Sequence, residues 1–296
     1  MSTSRRRGQT SETMLAQPHA NRESAYNRRL AQDHPQQLTT ESPATEGTRY
    51  FVQSLARGLD VVRAFGPNGG SLTLGEIAKR AGMSRAAARR YVLTLRDLDY
   101  IQVRGAHFEL KARLLELGYS YLSSLPLWKV AEPVLTELVD RVHETCSVSV
   151  LDVPDIVYVS RVAVKRIVSS NVSIGTRLPA FATAMGRVLL AALSEKELRS
   201  YIASVELSPI TRYTLVSRKK LLAAIEVARA QGFAIVDNEF AIGLHSIAVP
   251  VRDRSGSTIA ALNLSMSAPH GEAAGLSRHL DGLLEASQEL TAGLPY

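Results

Sequence analysis

The sequence predicts an α+β fold in two parts: an N-terminal winged helix–turn–helix, a linker helix, and a larger C-terminal domain with helices flanking an antiparallel sheet. Three observations carry this expectation. Two short capped helical segments separated by a glycine lie between residues 73 and 98 and run into an alternating segment with a basic tip. The basic surplus is local, because residues 49–110 hold ten Lys and Arg against five Asp and Glu, while the flanking stretches are nearly balanced. From Ser147 onward, alternating apolar runs are interleaved with amphipathic ones, the pattern of an antiparallel sheet with helices packed on it. A length of 296 residues suits roughly two domains.

Residues 1–48 are rich in Gln, Ser, Thr, Pro and Arg and lack a periodic apolar pattern, so they read as a disordered tail. "QSLARGLDVVRAFG" reads as a helix with Leu55, Leu59, Val62 and Phe65 on one stripe, stopped by Gly66-Pro67. In "SLTLGEIAKRAG", Thr73 and Glu76 have the spacing of a capping box and Gly82 suits a left-handed end. Ser84 caps the next helix, which runs to about Leu98 and turns Ala88, Tyr91 or Val92, and Leu95 inward. "YIQVRGAHFEL" is a hairpin with Arg104-Gly105 at its tip. These elements make residues 49–110 a DNA-binding module, 111–125 a linker helix interrupted by Pro126, and 126–296 the second domain.

In that second domain "LWKVAEPVLTELVDRVHETC" reads as helix, and "SVSVLDVPDIVYVSRV" as strand, turn and strand. "RIVSSNVSIGTRLP" reads as a third strand and "AFATAMGRVLLAALS" as a small-residue helix. Ser194 with Glu197, and Ser217, open two further helices, the latter ended by Gly232. "FAIVDNEF", "HSIAVPVRD" and "TIAALNLSMS" supply three more strands, the last two joined through "RDRSGS", and a final helix covers about 271–292.

The helix opened by Ser84 explains its own composition. The second helix of a helix–turn–helix presents its N-terminal residues to base edges in the major groove of double-stranded DNA. Ala86 and Ala87 allow close approach, and an alanine methyl can pack on a thymine methyl. Arg85, Arg89, Arg90 and the wing residue Arg104 can reach guanine edges or phosphates, and Ser84 can bond a phosphate oxygen. Which arginine reads a base is left open by the residues. A solvated helix rich in Ala and Arg would account for the arginines, but not for capped helix, glycine turn, capped helix and basic wing in succession.

Other classes find little support. No apolar run of about 18 residues is present, so no membrane span is expected. Cys146 is the single cysteine, which excludes an internal disulfide and suits a cytoplasmic chain. Cys146 and His143 lie three apart, yet nothing nearby suggests an orienting acid or an oxyanion hole, so no catalytic residue is assigned. The seven His are scattered without ligand spacing, and "GPNGGS" lacks the Lys-Ser/Thr of a phosphate loop. Neither metal nor cofactor is expected.

"QSLARGLDVVRAF", "LTLGEIAKRAGMSRAAARRYVLTLRDLDYI", "GTRLPAFATAMGRVLLAAL" and "GFAIVDNEFAIGLHSIAVPVRD" together resemble the IclR family of bacterial transcriptional regulators, over nearly everything after residue 49. Glu239, Ser246, Ile247 and Ala248 match the family signature; Val236 and Arg252 depart from it. Asp99 replaces a common Gly before the wing, and Asp tolerates that left-handed turn. The resemblance implies that the second domain is a GAF-like effector-binding domain. It also implies a homodimer joined through the DNA-binding part, or a homotetramer paired again through the effector domains. A two-fold protein would read a palindromic operator.

By the same resemblance, a small effector sits between the sheet and "LPAFATAMG", with Ser170, Thr183, Ala184, Met185, Leu244, Ser246, Asn263 and Ser265 around it. Arg161, Arg166 and Arg177 are the candidates to pair with its carboxylate through a planar fork. The wording "SSNVSIGTRLPAFATAMGRVLLA" is most similar to the branch that governs breakdown of aromatic acids by the β-ketoadipate route, the protocatechuate regulators among them. The implied effector is then protocatechuate, β-ketoadipate or a similar carboxylate. The alternative is a regulator of glyoxylate or short organic acid metabolism.

Overall fold

A computed structural model of the chain describes residues 51–66, 70–164, 172–267 and 273–294. The predicted tail over 1–48 lies outside the described residues. The first part comprises α1 (Gln53–Ala64), β1 (Ser71–Thr73), α2 (Leu74–Arg80), α3 (Arg85–Asp97), β2 (Ile101–Arg104) and β3 (His107–Leu110). Local signals start and stop these elements as predicted. Thr73 Oγ1 accepts from the Glu76 N–H at 3.3 Å and the Glu76 carboxylate accepts from the Thr73 N–H at 2.8 Å. Those bonds hold the Glu76 carboxyl below its ordinary pKa. Gly82 (φ 60°) turns the chain, and Ser84 Oγ caps α3 by accepting from the Ala87 N–H at 3.2 Å. Asp99 occupies the left-handed region at φ 69°, as expected.

Two expectations for this part fail. The wing is not a bare hairpin, since β1 pairs antiparallel with β3 and gives a three-stranded sheet in the order β1–β3–β2. The inward stripe of α1 is also rotated. Val61, Ala64 and Phe65 are buried with Leu72, Ile77, Val92 and Ile101, whereas Leu55 and Leu59 are 65% and 42% exposed. Apolar residues occupy two faces of α1, and periodicity cannot say which of them the core takes.

Next come a 3₁₀ turn (Ala112–Leu114), α4 (Leu115–Ser124) and α5 (Pro126–Val142). His143, left-handed at φ 55°, ends α5. Cys146, expected at a helix end, therefore lies in β4 (Thr145–Asp152). β5 (Asp155–Val162) follows. Of the predicted third strand, only β6 (Arg177–Pro179) forms among the described residues. Another 3₁₀ turn (Ala180–Ala182) precedes α6 (Ala184–Ala191), so the small-residue helix begins four residues later than expected. The cause is Thr183, whose extended backbone and side-chain bond to the Gly186 N–H (3.0 Å) make it the cap. The chain continues through α7 (Glu195–Ser204), α8 (Arg218–Gln231), β7 (Ala234–Asp237), β8 (Leu244–Arg252) and β9 (Thr258–Ser267). It ends in α9 (Ala273–Leu276), a 3₁₀ turn, and α10 (Leu280–Ala292).

Strands β4–β9 form one antiparallel sheet in the order β6–β5–β4–β9–β8–β7. Successive residues of a strand point to opposite faces, so the sheet divides its strands between two cores. Cys146, Val148, Ile247, Val249, Leu262 and Leu264 face α5 and α10. Tyr158, Val236, Ala248 and Ala261 face α6, α7 and α8. On this second face the small residues Ala248 and Ala261 let α6 lie close to the sheet. Gly186 brings α6 equally close to the preceding turn, because a Cβ at this position would lie 2.0 Å from the Ala180 carbonyl oxygen.

Candidate nucleic-acid interface and effector pocket

The first turns of α3 carry a concentrated positive charge. Ser84, Arg85, Ala86, Arg89 and Arg90 are exposed and Ala87 is half-buried, while Ala88 and Val92 fix the opposite face in the core. Among the described residues, Arg85, Arg89 and Arg90 make no ion pair and no side-chain hydrogen bond. Two neighbouring cations are engaged: Arg80 donates to the Ala64 carbonyl at 3.1 Å, and Arg96 pairs with Asp97 at 2.7 Å. Arg104, on the wing, is 71% exposed but lies 3.0 Å from the Glu109 carboxylate. Three free guanidinium groups beside small residues can meet an anionic backbone and donate to base edges without giving up an internal partner.

The second site is a small cavity between α6 and the sheet, with a volume of about 30 Å³ and partly open to solvent. Its walls are Thr183, Ala184 and Met185 from the cap and first residues of α6, Phe240 from the β7–β8 connection, and Leu244, Ser246 and Asn263 from the sheet. Tyr158, Leu178, Ala182 and Val236 complete it. No ionisable side chain other than the Tyr158 phenol is among these residues. Burial pushes that phenol up to about 12, so it stays neutral and keeps a proton to donate.

Polar groups in this wall are short of partners. Asn263 is 5% exposed and its Oδ1 has no hydrogen bond. Ala184 and Met185 are the first two residues of α6, a position whose N–H groups have no partner within the helix; the Gly186 N–H is taken by Thr183 Oγ1 and the Arg187 N–H by the Thr183 carbonyl. A buried Ser149 hydroxyl donates only to the thioether of Met185, at 3.1 Å, which is a weak acceptor. An unmet buried acceptor, Asn263 Oδ1, and the start of a helix meet at one largely apolar cavity, as a site for a small polar molecule requires.

Six of the residues expected around an effector therefore line one cavity: Thr183, Ala184, Met185, Leu244, Ser246 and Asn263. Ser265 shares the strand face of Asn263 and pairs in register with Ser246, but is not in the wall. Ser170 and Arg166 lie outside the described residues. The arginines do not behave as expected. Arg177 is held on the exterior by the carboxylates of Asp152 and Asp155, the latter at 3.2 Å. Arg161 is not in the wall and donates to Ser147 Oγ at 3.3 Å. Tyr158, Leu178, Ala182 and Phe240 escaped the sequence reading, and only Leu178 and Ala182, inside "LPAFATAMG", had a local signal.

Residues 54–105 match the model of the IclR helix–turn–helix domain, and residues 119–292 that of the bacterial transcriptional regulator IclR C-terminal domain. The Pca regulon regulatory protein of Pseudomonas putida is 42% identical over 249 residues, 83% of this chain and 86% of that protein. A solved protein of Rhodococcus is 46% identical with a TM-score of 0.73, covering 82% of this chain and 98% of the other. The inducer-binding domain of the transcription factor PobR from Acinetobacter, solved as a double mutant with 3-hydroxybenzoic acid, is 32% identical with a TM-score of 0.53, covering 56% and 97%. The two family matches together span both halves of the described structure, so the chain belongs to the IclR family of bacterial transcriptional regulators.

Proposed function

We propose that the protein is a cytoplasmic, homodimeric or homotetrameric regulator of aromatic-acid catabolism that binds a palindromic operator through α3 and the wing and responds to a small aromatic carboxylate. The observation that carries the effector reading is the start of α6 in the cavity wall, where Ala184 and Met185 are the first two residues of the helix and their N–H groups have no partner within it. The first N–H groups of a helix carry partial positive charge and suit an anion. A carboxylate seated there needs no arginine, which accords with the positions of Arg161 and Arg177. The ring then lies between Phe240, Leu244 and Met185, and Asn263, Ser246 and Tyr158 are placed for hydroxyl groups on its far side. The names of the Pseudomonas and Acinetobacter relatives direct the choice of ligand towards protocatechuate and hydroxybenzoates.

Ser84, Arg85, Ala86, Ala87, Arg89, Arg90 and Arg104 are the proposed contacts to DNA. Dimerisation would cover the exposed Leu55 and Leu59 of α1 and the exposed Leu115, Leu117, Tyr119 and Tyr121 of α4, a helix with no buried residue. No enzymatic role is assigned, since Cys146 is buried and its thiol is pushed up to about 12, leaving no thiolate at neutral pH. The deciding experiment is calorimetry of the purified protein against protocatechuate, 3- and 4-hydroxybenzoate, benzoate and β-ketoadipate. Saturable binding of at least one aromatic acid, with altered operator affinity, is the expected result; no heat from any of the aromatic acids would remove the reading.

A further inference from the structure

Beside the pocket lies a buried ion pair that touches none of its volume. Arg187 and Glu239 have side chains only 6% and 9% exposed, and one guanidinium nitrogen, Nη2, reaches both carboxylate oxygens at 2.7 and 2.6 Å. Arg187 Nε is buried without a partner. Burying such a pair costs several kcal/mol in desolvation, and apolar side chains of similar volume commonly give equal or better stability. Stability alone is therefore a poor reason for it to be here.

Its position supplies a better one. Arg187 sits one helical turn after Thr183 and Ala184, which line the pocket on the α6 side. Glu239 immediately precedes Phe240 in the 238–243 connection, which delivers Phe240 and Leu244 to the opposite side. A third segment grips the same connection: the Leu215 N–H donates to Glu239 Oε2 at 3.1 Å, the Thr214 hydroxyl to the Glu239 carbonyl at 2.7 Å, and the Thr211 hydroxyl to the Asn238 carbonyl at 2.7 Å. The connection is closed on itself by a bond of 2.6 Å from the Gly243 N–H to Asn238 Oδ1, with both residues left-handed. Helix α6 is the fixed wall, since Gly186 is already in closest approach to the Ala180 backbone. The adjustable wall is the 238–244 stretch, and the carboxylate of Glu239 ties it to α6.

We propose that Arg187 and Glu239 are positioning residues of the effector site: their ion pair sets the distance between the two pocket walls and holds Phe240 and Leu244 closed against a ligand that neither residue touches. The inference deepens the effector reading above, and its test separates the two. Glu239→Gln keeps the shape and removes the charge; the double variant Arg187→Met/Glu239→Met removes both charges and leaves no uncompensated ion, so it remains foldable if the single one is not. Amide hydrogen exchange of the ligand-free proteins, measured well below each melting midpoint, reads wall position without any ligand. The expected result is at least tenfold faster exchange over 239–244 with α6 changed less than threefold. Calorimetry with 4-hydroxybenzoate and protocatechuate should show at least tenfold weaker binding than wild type. Equal exchange in both walls, whether unchanged or uniformly faster, overturns the proposal, as does wild-type affinity in a folded variant. Absence of binding by the wild-type protein instead defeats the effector reading, and the exchange measurement then decides the positioning role alone.

Discussion

Gly186→Ala is the substitution whose outcome the structure determines most sharply, because two effects of known size oppose each other. In an unobstructed helix interior, alanine is worth about 1 kcal/mol more than glycine. At position 186 the added methyl would sit 2.0 Å from the Ala180 carbonyl oxygen and 2.5 Å from its carbonyl carbon and Cα. Atoms so placed must separate by roughly 1 Å to reach even a tight contact, and both sides of the clash are backbone. Overpacking costs about 1–3 kcal/mol and sometimes more; a backbone clash this short belongs at the upper end, about 3 kcal/mol, so against the gain of about 1 the net effect should be a loss of about 2 kcal/mol. For a domain of this size that is a fall in melting temperature of roughly 4–8 °C. The displaced turn carries Ala182 and Thr183 of the pocket wall, so aromatic-acid affinity should fall in the same variant. Gly282→Ala provides the control: its Cβ would meet only Leu138 Cδ1 at 3.9 Å, an ordinary contact, and the substitution in α10 should raise stability by up to about 1 kcal/mol. Differential scanning calorimetry compares the two. A Gly186→Ala protein as stable as wild type would refute the close approach of α6 to the turn, and with it the fixed wall of the pocket.

Four further outcomes follow from named contacts. Arg85→Ala, Arg89→Ala and Arg90→Ala should each weaken operator binding, and each lost phosphate contact should lower the slope of log K against log salt by about one unit; unchanged affinity in all three would take α3 out of the interface. Asn263→Leu should retain the fold, because it removes an unsatisfied buried amide, yet weaken binding of 4-hydroxybenzoate more than of benzoate in parallel titrations. Leu55→Glu/Leu59→Glu should shift the protein toward monomer in sedimentation velocity, since those side chains are the exposed apolar stripe of α1. The carboxyl of Glu76 has a lowered pKa in the folded state, so its stabilising contribution is complete above the unfolded value and is lost as pH falls through the folded one. Thermal melts of wild type and Glu76→Gln should accordingly converge on acidification below the ordinary carboxylate range and diverge above it.

The parts of this structure that were legible in the sequence are those written within four residues. Thr73 with Glu76, Ser84, Ser194 with Glu197, and Ser217 all cap the helices they announce. Asp99 takes the left-handed turn its position demands. The failures share the opposite property. β1 is three residues long and exists only because Leu72 pairs with Phe108, 36 positions away. Arg177 looked available for a carboxylate until Asp152 and Asp155, 25 and 22 residues earlier, closed on it. Phe240 and Tyr158 reach the cavity from two separate segments, and nothing local marks either of them. The small-residue run of α6 was readable as a pocket wall by resemblance; its true start was not, because the extended Thr183 interrupts an otherwise continuous helical pattern.

The absence of a cation from the cavity wall, among the described residues, has a physical logic when the empty state is considered as well as the filled one. A sensor must remain folded without its ligand. An arginine placed to meet an incoming carboxylate would, in the empty pocket, be a buried charge with no counter-ion, and leaving such a charge uncompensated is strongly destabilising. The first N–H groups of α6 carry only a fraction of a charge, so the empty pocket costs less while the donors remain oriented. The charged groups nearby obey the same constraint, since Arg187 is neutralised by Glu239 and Arg177 by two carboxylates. Charge is thus spent within the protein on holding walls in place, and the proposed effector is recognised by dipoles. On this view affinity depends on how firmly the 238–244 wall is held against α6, which makes the ion pair outside the pocket as consequential as any residue within it.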